Sequence, residues 1–296
     1  MRRVLPALAV AAVLASVITG CSVPAMTGSA DARHGGPPAS YYLALGDSLS
    51  QGVQPGPSGA SAKTREGYAD KLYAALRRSH PGLRLVKLGC PGETTVTMIR
   101  GGTCTYAGGS QLAAAVRFLH AHRGRVPLIT IDIGANDPGS CVARRSVAEL
   151  ASCAVRSIPD AAANLAKILA RLRQAAAGAR IIAMNYYLPA LADWRDGLAG
   201  KALARLSELA AVGYNILLTK VYQAFDVQIA DVFTAFHTAD FAHRSAVPGL
   251  GTLPRNVATI CQWTWECAAP PRGPNEHANQ AGYAVIARAF LAAGAR

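Results

Sequence analysis

Ser48 is the residue whose type and setting first suggest chemistry. It lies in Gly46-Asp47-Ser48, directly after the apolar run 41–45. If that run is a buried strand, the serine stands at its carboxyl end, where open α/β sheets place their chemistry. A serine hydroxyl needs a base to take its proton and donors aimed at the oxygen that turns negative during acyl transfer. Two further apolar runs end comparably, in Gly89-Cys90-Pro91-Gly92-Glu93-Thr94 and in Gly134-Ala135-Asn136-Asp137. Both are also ordinary turn sequences, since Pro-Gly and Asn-Asp-Pro-Gly make turns in any protein. Among the 7 histidines, His34, His80, His120, His122, His237 and His243 sit mostly in polar or arginine-bearing stretches. His277 differs by position: Pro274-Asn275-Glu276-His277-Ala278-Asn279 leads into the last helical pattern, and imidazole is an effective base near neutral pH.

Such residues act together only if the chain brings them to one edge. From residue 41 onward, short apolar runs alternate with longer helical patterns. Strands are expected at 41–45, 83–88, 127–133, 180–185 and 226–232, each bounded by Gly, Pro or Asp. Helices are expected at 68–78, 111–120, 160–177, 198–222 and 281–293; in the third, Leu165, Ile168, Leu169 and Leu172 share one face. This alternation predicts right-handed crossovers and a three-layer α/β/α sandwich around a mostly parallel five-stranded sheet, formed as one domain by residues 41–296. The stretch 233–275 reads as a long irregular loop, of the kind that is functional or cross-linked.

With strand ends and histidine in place, the chain resembles the SGNH subgroup of the GDSL hydrolases over its whole folded part. Four blocks carry the resemblance: Gly46-Asp47-Ser48, Gly92, Gly134-Ala135-Asn136-Asp137, and His277 near the C-terminus. The resemblance implies a flavodoxin-like sheet of order 2-1-3-4-5. It also implies Ser48 as nucleophile, His277 as base, and an oxyanion hole made by the Ser48 N–H, the Gly92 N–H and the Asn136 amide. The implied activity is that of a serine esterase or lipase acting on acyl lipids, short-chain acyl esters or acetylated glycans, with no metal or cofactor. The chain departs from the family's Asp-x-x-His motif, because Pro274 stands where the acid belongs. An acid in that place orients the imidazole and stabilises its charged form. The Pro274 carbonyl, the Asn275 amide oxygen or Glu276 can substitute, Glu276 least readily, since neighbours in an extended segment point to opposite sides. The rival reading is a cell-envelope lipoprotein that binds acylated ligands with little or no turnover. Tyr106, Trp263 and Trp265 are available to line an acyl pocket, with packing as their simpler role.

The first forty residues are not fold. Met1-Arg2-Arg3, an apolar run and Thr19-Gly20-Cys21 have the anatomy of a signal peptide over residues 1–20, and Ile18-Thr19-Gly20-Cys21 resembles a lipobox that lipidates Cys21. Residues 21–40 read as a flexible tether. The expected protein is a monomer held on the outer side of a cell membrane by a lipid anchor, or secreted. Export suits the six remaining cysteines, whose sequence-local pairing is Cys90–Cys104, Cys141–Cys153 and Cys261–Cys267. No Cys-x-x-Cys spacing suggests zinc. The net charge is +13, or +11 once Arg2 and Arg3 leave with the signal peptide, and such dispersed cations on an exported chain argue against nucleic acid. An anionic envelope or membrane surface is the expected neighbour, unless the arginines reflect compositional bias alone.

Overall fold

The structure, a computed structural model, describes residues 39–139 and 147–295. Five strands form its centre: β1 (Ser40–Gly46), β2 (Leu83–Lys87), β3 (Leu128–Asp132), β4 (Arg180–Met184) and β5 (Gln228–Ala230). They pair in parallel in the order β2-β1-β3-β4-β5. All five lie within the runs picked out by apolar character or extend them by a residue. Both faces are covered, so Tyr42, Leu43, Ala44 and Leu45 of β1 are fully buried, as continuous apolar strands of parallel sheets require.

The covering helices are α1 (Tyr68–Leu76), α2 (Thr95–Arg100), α3 (Gln111–Ala121), α4 (Val147–Ala175), α5 (Gly197–Ala224), α6 (Arg255–Trp263) and α7 (Gln280–Ala292). Leu165, Ile168, Leu169 and Leu172 of α4 are all fully buried, and each contributes about 2 kcal/mol of transfer free energy. Helix α4 starts earlier than the pattern predicts and runs through Pro159. The missing N–H removes one hydrogen bond without ending a helix whose later turns are held against the sheet. Stacked rings of Tyr68 and Phe290, 4.7 Å apart, join α1 to α7. Buried tyrosines place hydroxyls on backbone carbonyls: Tyr222 donates to the oxygen of Met184 at the end of β4 (3.0 Å) and Tyr283 to that of Val53 in the segment after β1 (2.8 Å).

The stretch 233–275 is not the irregular loop expected. It contains the hairpin β6 (Arg244–Val247) and β7 (Gly251–Pro254), followed by α6. The hairpin strands are four residues each and mostly exposed, and α6 buries Val257, Thr259 and Ile260, β-branched residues of modest helix propensity. Tertiary packing, not local preference, makes both elements. Helix α2 is likewise additional; Thr94 caps it by accepting from the Thr97 N–H at 3.1 Å. Disulfides join Cys90 to Cys104 and Cys261 to Cys267, as paired from the sequence. Cys21, the N-terminal segments up to residue 38 and Cys141, with its pairing to Cys153, lie outside the described residues, while Ser40, expected as the end of the tether, is already paired in β1.

Candidate active site

The turn after β1 is held by two buried carboxyl groups. Gly46 has φ +128°, and a Cβ there would lie 2.1 Å from the Asp132 carbonyl oxygen, so only glycine lets the ends of β1 and β3 close. The Gln111 side chain clasps Gly46 from the other side, accepting its N–H at 2.7 Å and donating to its oxygen at 2.9 Å. Asp132 Oδ2 accepts the N–H groups of Asp47 (3.2 Å) and Ser50 (3.1 Å), and Tyr68 donates to Oδ1. Asp47 Oδ1 accepts the Leu49 N–H at 3.0 Å. Burial pushes the Asp47 carboxyl up to about 6, and burial together with the neighbouring Asp47 pushes Asp132 well above the usual carboxylate range. Each carboxyl makes the other harder to ionise, which is how two such groups lie close together beneath Ser48.

Ser48 is half-buried, and its hydroxyl lies 3.5 Å from Asp47 Oδ1. Among the described residues neither its backbone N–H nor that of Gly92 has a hydrogen-bond partner. Gly92 has φ +79°, and a Cβ there would meet only Thr103, so glycine is kept for its backbone conformation rather than for lack of room. The β2 and β3 loops are tied together. Asn136 Nδ2 donates one hydrogen to the Glu93 carbonyl at 2.9 Å and keeps a second. The neighbouring Asp137 carboxylate accepts the Thr95 N–H at 3.0 Å and caps α2. The Cys90–Cys104 disulfide closes the loop that carries Gly92. Ser48, Gly92 and Asn136 thus occupy three adjacent strand ends.

His277 belongs to no regular element. Its backbone carbonyl accepts the Trp265 N–H at 3.0 Å, while Tyr187 donates to the Glu276 oxygen at 2.9 Å. The loop also leans on the segment after Ser48, because Trp265 Nε1 donates to Gln54 Oε1 (3.3 Å) and Asn275 Nδ2 to Ser61 Oγ (3.1 Å). The histidine Nδ1 lies 2.8 Å from Asn275 Oδ1, whereas Glu276 Oε1 is 3.7 Å away on an exposed side chain. Asn275 Oδ1 also takes the backbone N–H of His277 at 3.1 Å. A backbone N–H only donates, so the asparagine atom facing it is the oxygen, and Nδ1 must carry the ring proton. Nε2 is left with its lone pair. Burial lowers the His277 pKa, and the Glu276 carboxylate partly offsets this. Among the described residues no hydrogen bond joins Ser48 Oγ to the imidazole.

Of the possible orienters, the Asn275 side chain makes the bond, and among the described residues the Pro274 carbonyl makes no hydrogen bond to the ring. Asp132, Gln111 and Ser61 had no assigned part in the site. An acid inside the apolar run Leu128-Ile-Thr-Ile-Asp132 was a usable signal, because buried acids are rare unless bonded. Ser61 offered none. Of the aromatic residues considered for a pocket, Trp263 packs edge-on against Phe236 and Tyr106 donates to the Leu88 carbonyl at 2.6 Å. Trp265 lines an open groove of about 590 Å³ with Gln54, Thr64, Arg272 and Gln280.

A nucleophile candidate, unpartnered N–H donors and a neutral imidazole at one end of a parallel sheet form the equipment of acyl transfer. Residues 44–285 match the model of the GDSL-like lipase/acylhydrolase family, and the chain belongs to that family. It is thereby a carboxylic ester hydrolase by class. The fold is similar to that of an extracellular lipase from Streptomyces rimosus, at 22% identity and TM-score 0.57, covering 86% of this chain and 100% of that one. Phospholipase A1 from Streptomyces albidoflavus is similar at 18% identity and TM-score 0.53, with 86% and 100% covered. A lipase from a goat rumen metagenome gives 15% identity and TM-score 0.54, with 86% and 98% covered. At these identities the likeness speaks to the fold. Among curated proteins, none matches the sequence.

Proposed function

We propose that the protein is an exported serine esterase or lipase that hydrolyses carboxylic esters of acyl lipids or short-chain acyl groups. Ser48 attacks the ester carbonyl, and His277 Nε2 takes its proton and returns it to the leaving alcohol. The Ser48 and Gly92 N–H groups and the free hydrogen of Asn136 Nδ2 hold the oxyanion. Asn275 takes the place of the missing acid by keeping the proton on Nδ1, though it adds no charge to stabilise an imidazolium. The bond from Asn275 Oδ1 to His277 Nδ1 is the observation that carries this reading, because it leaves Nε2 ready as a base. It also weighs against a binding protein without turnover. Two disulfides suit an oxidising compartment, and the lipobox-like segment ending at Cys21 suggests anchoring to the outer side of a membrane.

Ser48→Ala tests the reading on p-nitrophenyl esters of graded chain length. The expected loss is about 10⁴-fold or more in kcat. Hydrolysis that survives the change would sink the proposal, and the chain-length series identifies the preferred acyl group.

A further inference from the structure

Helix α5 has one buried face and one that is largely exposed. Gly200, Ala204, Leu218 and Tyr222 point inward. The opposite face exposes Leu198 (87%), Leu206 (65%), Leu209 (67%) and Ile216 (52%), with Ala199, Ala202, Ala210 and Gly213 exposed between them. A run of apolar side chains this open is uncommon on a soluble surface and marks an interaction site. Cations border it. Lys201 and Arg205 lie along one edge, each over the Trp194 ring (5.7 and 5.3 Å), with Arg195 and Lys220 exposed near the ends. The helix contains a single acid, Glu208.

The position of this face matters as much as its composition. Asn215 is level with the carboxyl end of β4, where its side chain exchanges hydrogen bonds with both the N–H and the oxygen of Tyr186 (2.8 and 3.1 Å). Tyr214 donates to the carbonyl of Gly134, two residues before Asn136. From Asn215 the helix runs toward the amino edge of the sheet to reach β5. Its earlier part, back to Leu198, is roughly 25 Å of helix lying on the side of the catalytic edge. The exposed leucines stand on that part.

We propose that the Leu198–Leu206–Leu209 face of α5 docks on an anionic lipid surface, with Lys201 and Arg205 at the headgroups, and so holds the carboxyl edge of the sheet against the membrane. An apolar face flanked by Lys and Arg is what an interfacial helix needs, the leucines entering the acyl boundary and the long cations reaching back to phosphate. The overall charge of +13 makes an anionic surface the complementary one. Lipid asks only for apolar area and positive charge, and this face supplies both.

Trp194, beneath the two cations, is a built-in reporter of contact that a tether at the N-terminus alone would not move. The full exported chain is mixed with phosphatidylglycerol vesicles carrying brominated acyl chains. Tryptophan fluorescence is expected to be quenched, more than with brominated phosphatidylcholine, and Trp194→Phe removes most of the quenching. Lys201→Gln and Arg205→Gln are each expected to weaken vesicle affinity about fivefold. Leu206→Glu with Leu209→Glu, both surface changes, abolishes quenching while keeping the circular dichroism and the hydrolysis of soluble p-nitrophenyl butyrate. Ser48→Ala must be quenched as fully as the wild type, so docking and the proposed chemistry fail separately. Equal quenching in the double-glutamate variant overturns the proposal. So does a dimer in sedimentation that this variant splits, since the face then belongs to a second copy.

Discussion

The two halves of the candidate site are built on different principles. On the nucleophile side, Ser48, Gly92 and Asn136 follow three adjacent parallel strands, and their loops are fastened by backbone bonds and by the buried carboxyls of Asp47 and Asp132. On the histidine side no strand helps. His277 is placed by the Asn275 side chain two residues before it, by the backbone N–H of Trp265, and by Tyr187, whose hydroxyl reaches the Glu276 carbonyl from a distant part of the chain. A site made by a sheet tolerates little change at its glycines and acids, because each is wedged between backbones. A site made by side chains can exchange one hydrogen-bonding partner for another, and here an amide oxygen two residues before the histidine stands where the family places a carboxylate three before it.

Four measurements sharpen that contrast. On the nucleophile side, Asn136→Ala removes a donor from the oxyanion position and is expected to lower kcat by about 10²–10³-fold, roughly 3–4 kcal/mol, with KM little changed. An equal rise in KM with kcat intact would assign Asn136 to ground-state binding. The disulfides come next. Opening Cys90–Cys104, which closes a loop of 14 residues, should cost about 3 kcal/mol in chemical denaturation, and opening Cys261–Cys267, across 6, about 2 kcal/mol. Activity should suffer in both, and if neither serine pair affects turnover, the bridges brace the fold rather than the site.

The histidine side is probed by pH. Burial lowers the His277 pKa, and the base works when neutral, so the acid limb of kcat/KM should fall below the ordinary histidine value of 6.5. Asn275→Asp brings a carboxylate to the ring, favours the imidazolium and should move that limb upward by about one pH unit, with kcat increased. A limb that does not move would mean that residue 275 does not face the ring during turnover. The smallest effect is expected from Ser61→Ala. Ser61 holds the Asn275 amide in the orientation that presents its oxygen, and losing that bond should lower kcat about fivefold. Restoration by Thr at position 61 would distinguish orientation of the amide from general loosening of the loop.

The nucleophile side was far more legible in the sequence. Gly46-Asp47-Ser48 follows an apolar run and Asn136 follows another, so strand period and turn chemistry point to the same places, and the strand order implied by the family resemblance is the observed one. The hairpin β6–β7 and helix α6 were not legible, because their residues carry neither a clear alternation nor strong helix formers. The orienter of His277 was open among three candidates for a related reason. Which of several nearby acceptors reaches a ring nitrogen depends on the path of a loop, and that path is set by Ser61, Tyr187 and Trp265.

By itself the sequence determined the five-strand alternation, the order of the four blocks and the two local disulfides found here, because each depends on residues close together in the chain or on a pattern that repeats along it. Only the tertiary structure decided that Asp132 and Gln111 grip the turn before Ser48, that Asn275 faces the imidazole with its oxygen, and that a helix with an apolar outer face lies on the side of the catalytic edge. The grip of Asp132 and Gln111 joins segments 85 and 65 residues apart, and the Asn275 amide is turned by Ser61, 214 residues away, so no local period foretells them and the packing of the whole domain selects them, as it selects which helix face stays uncovered.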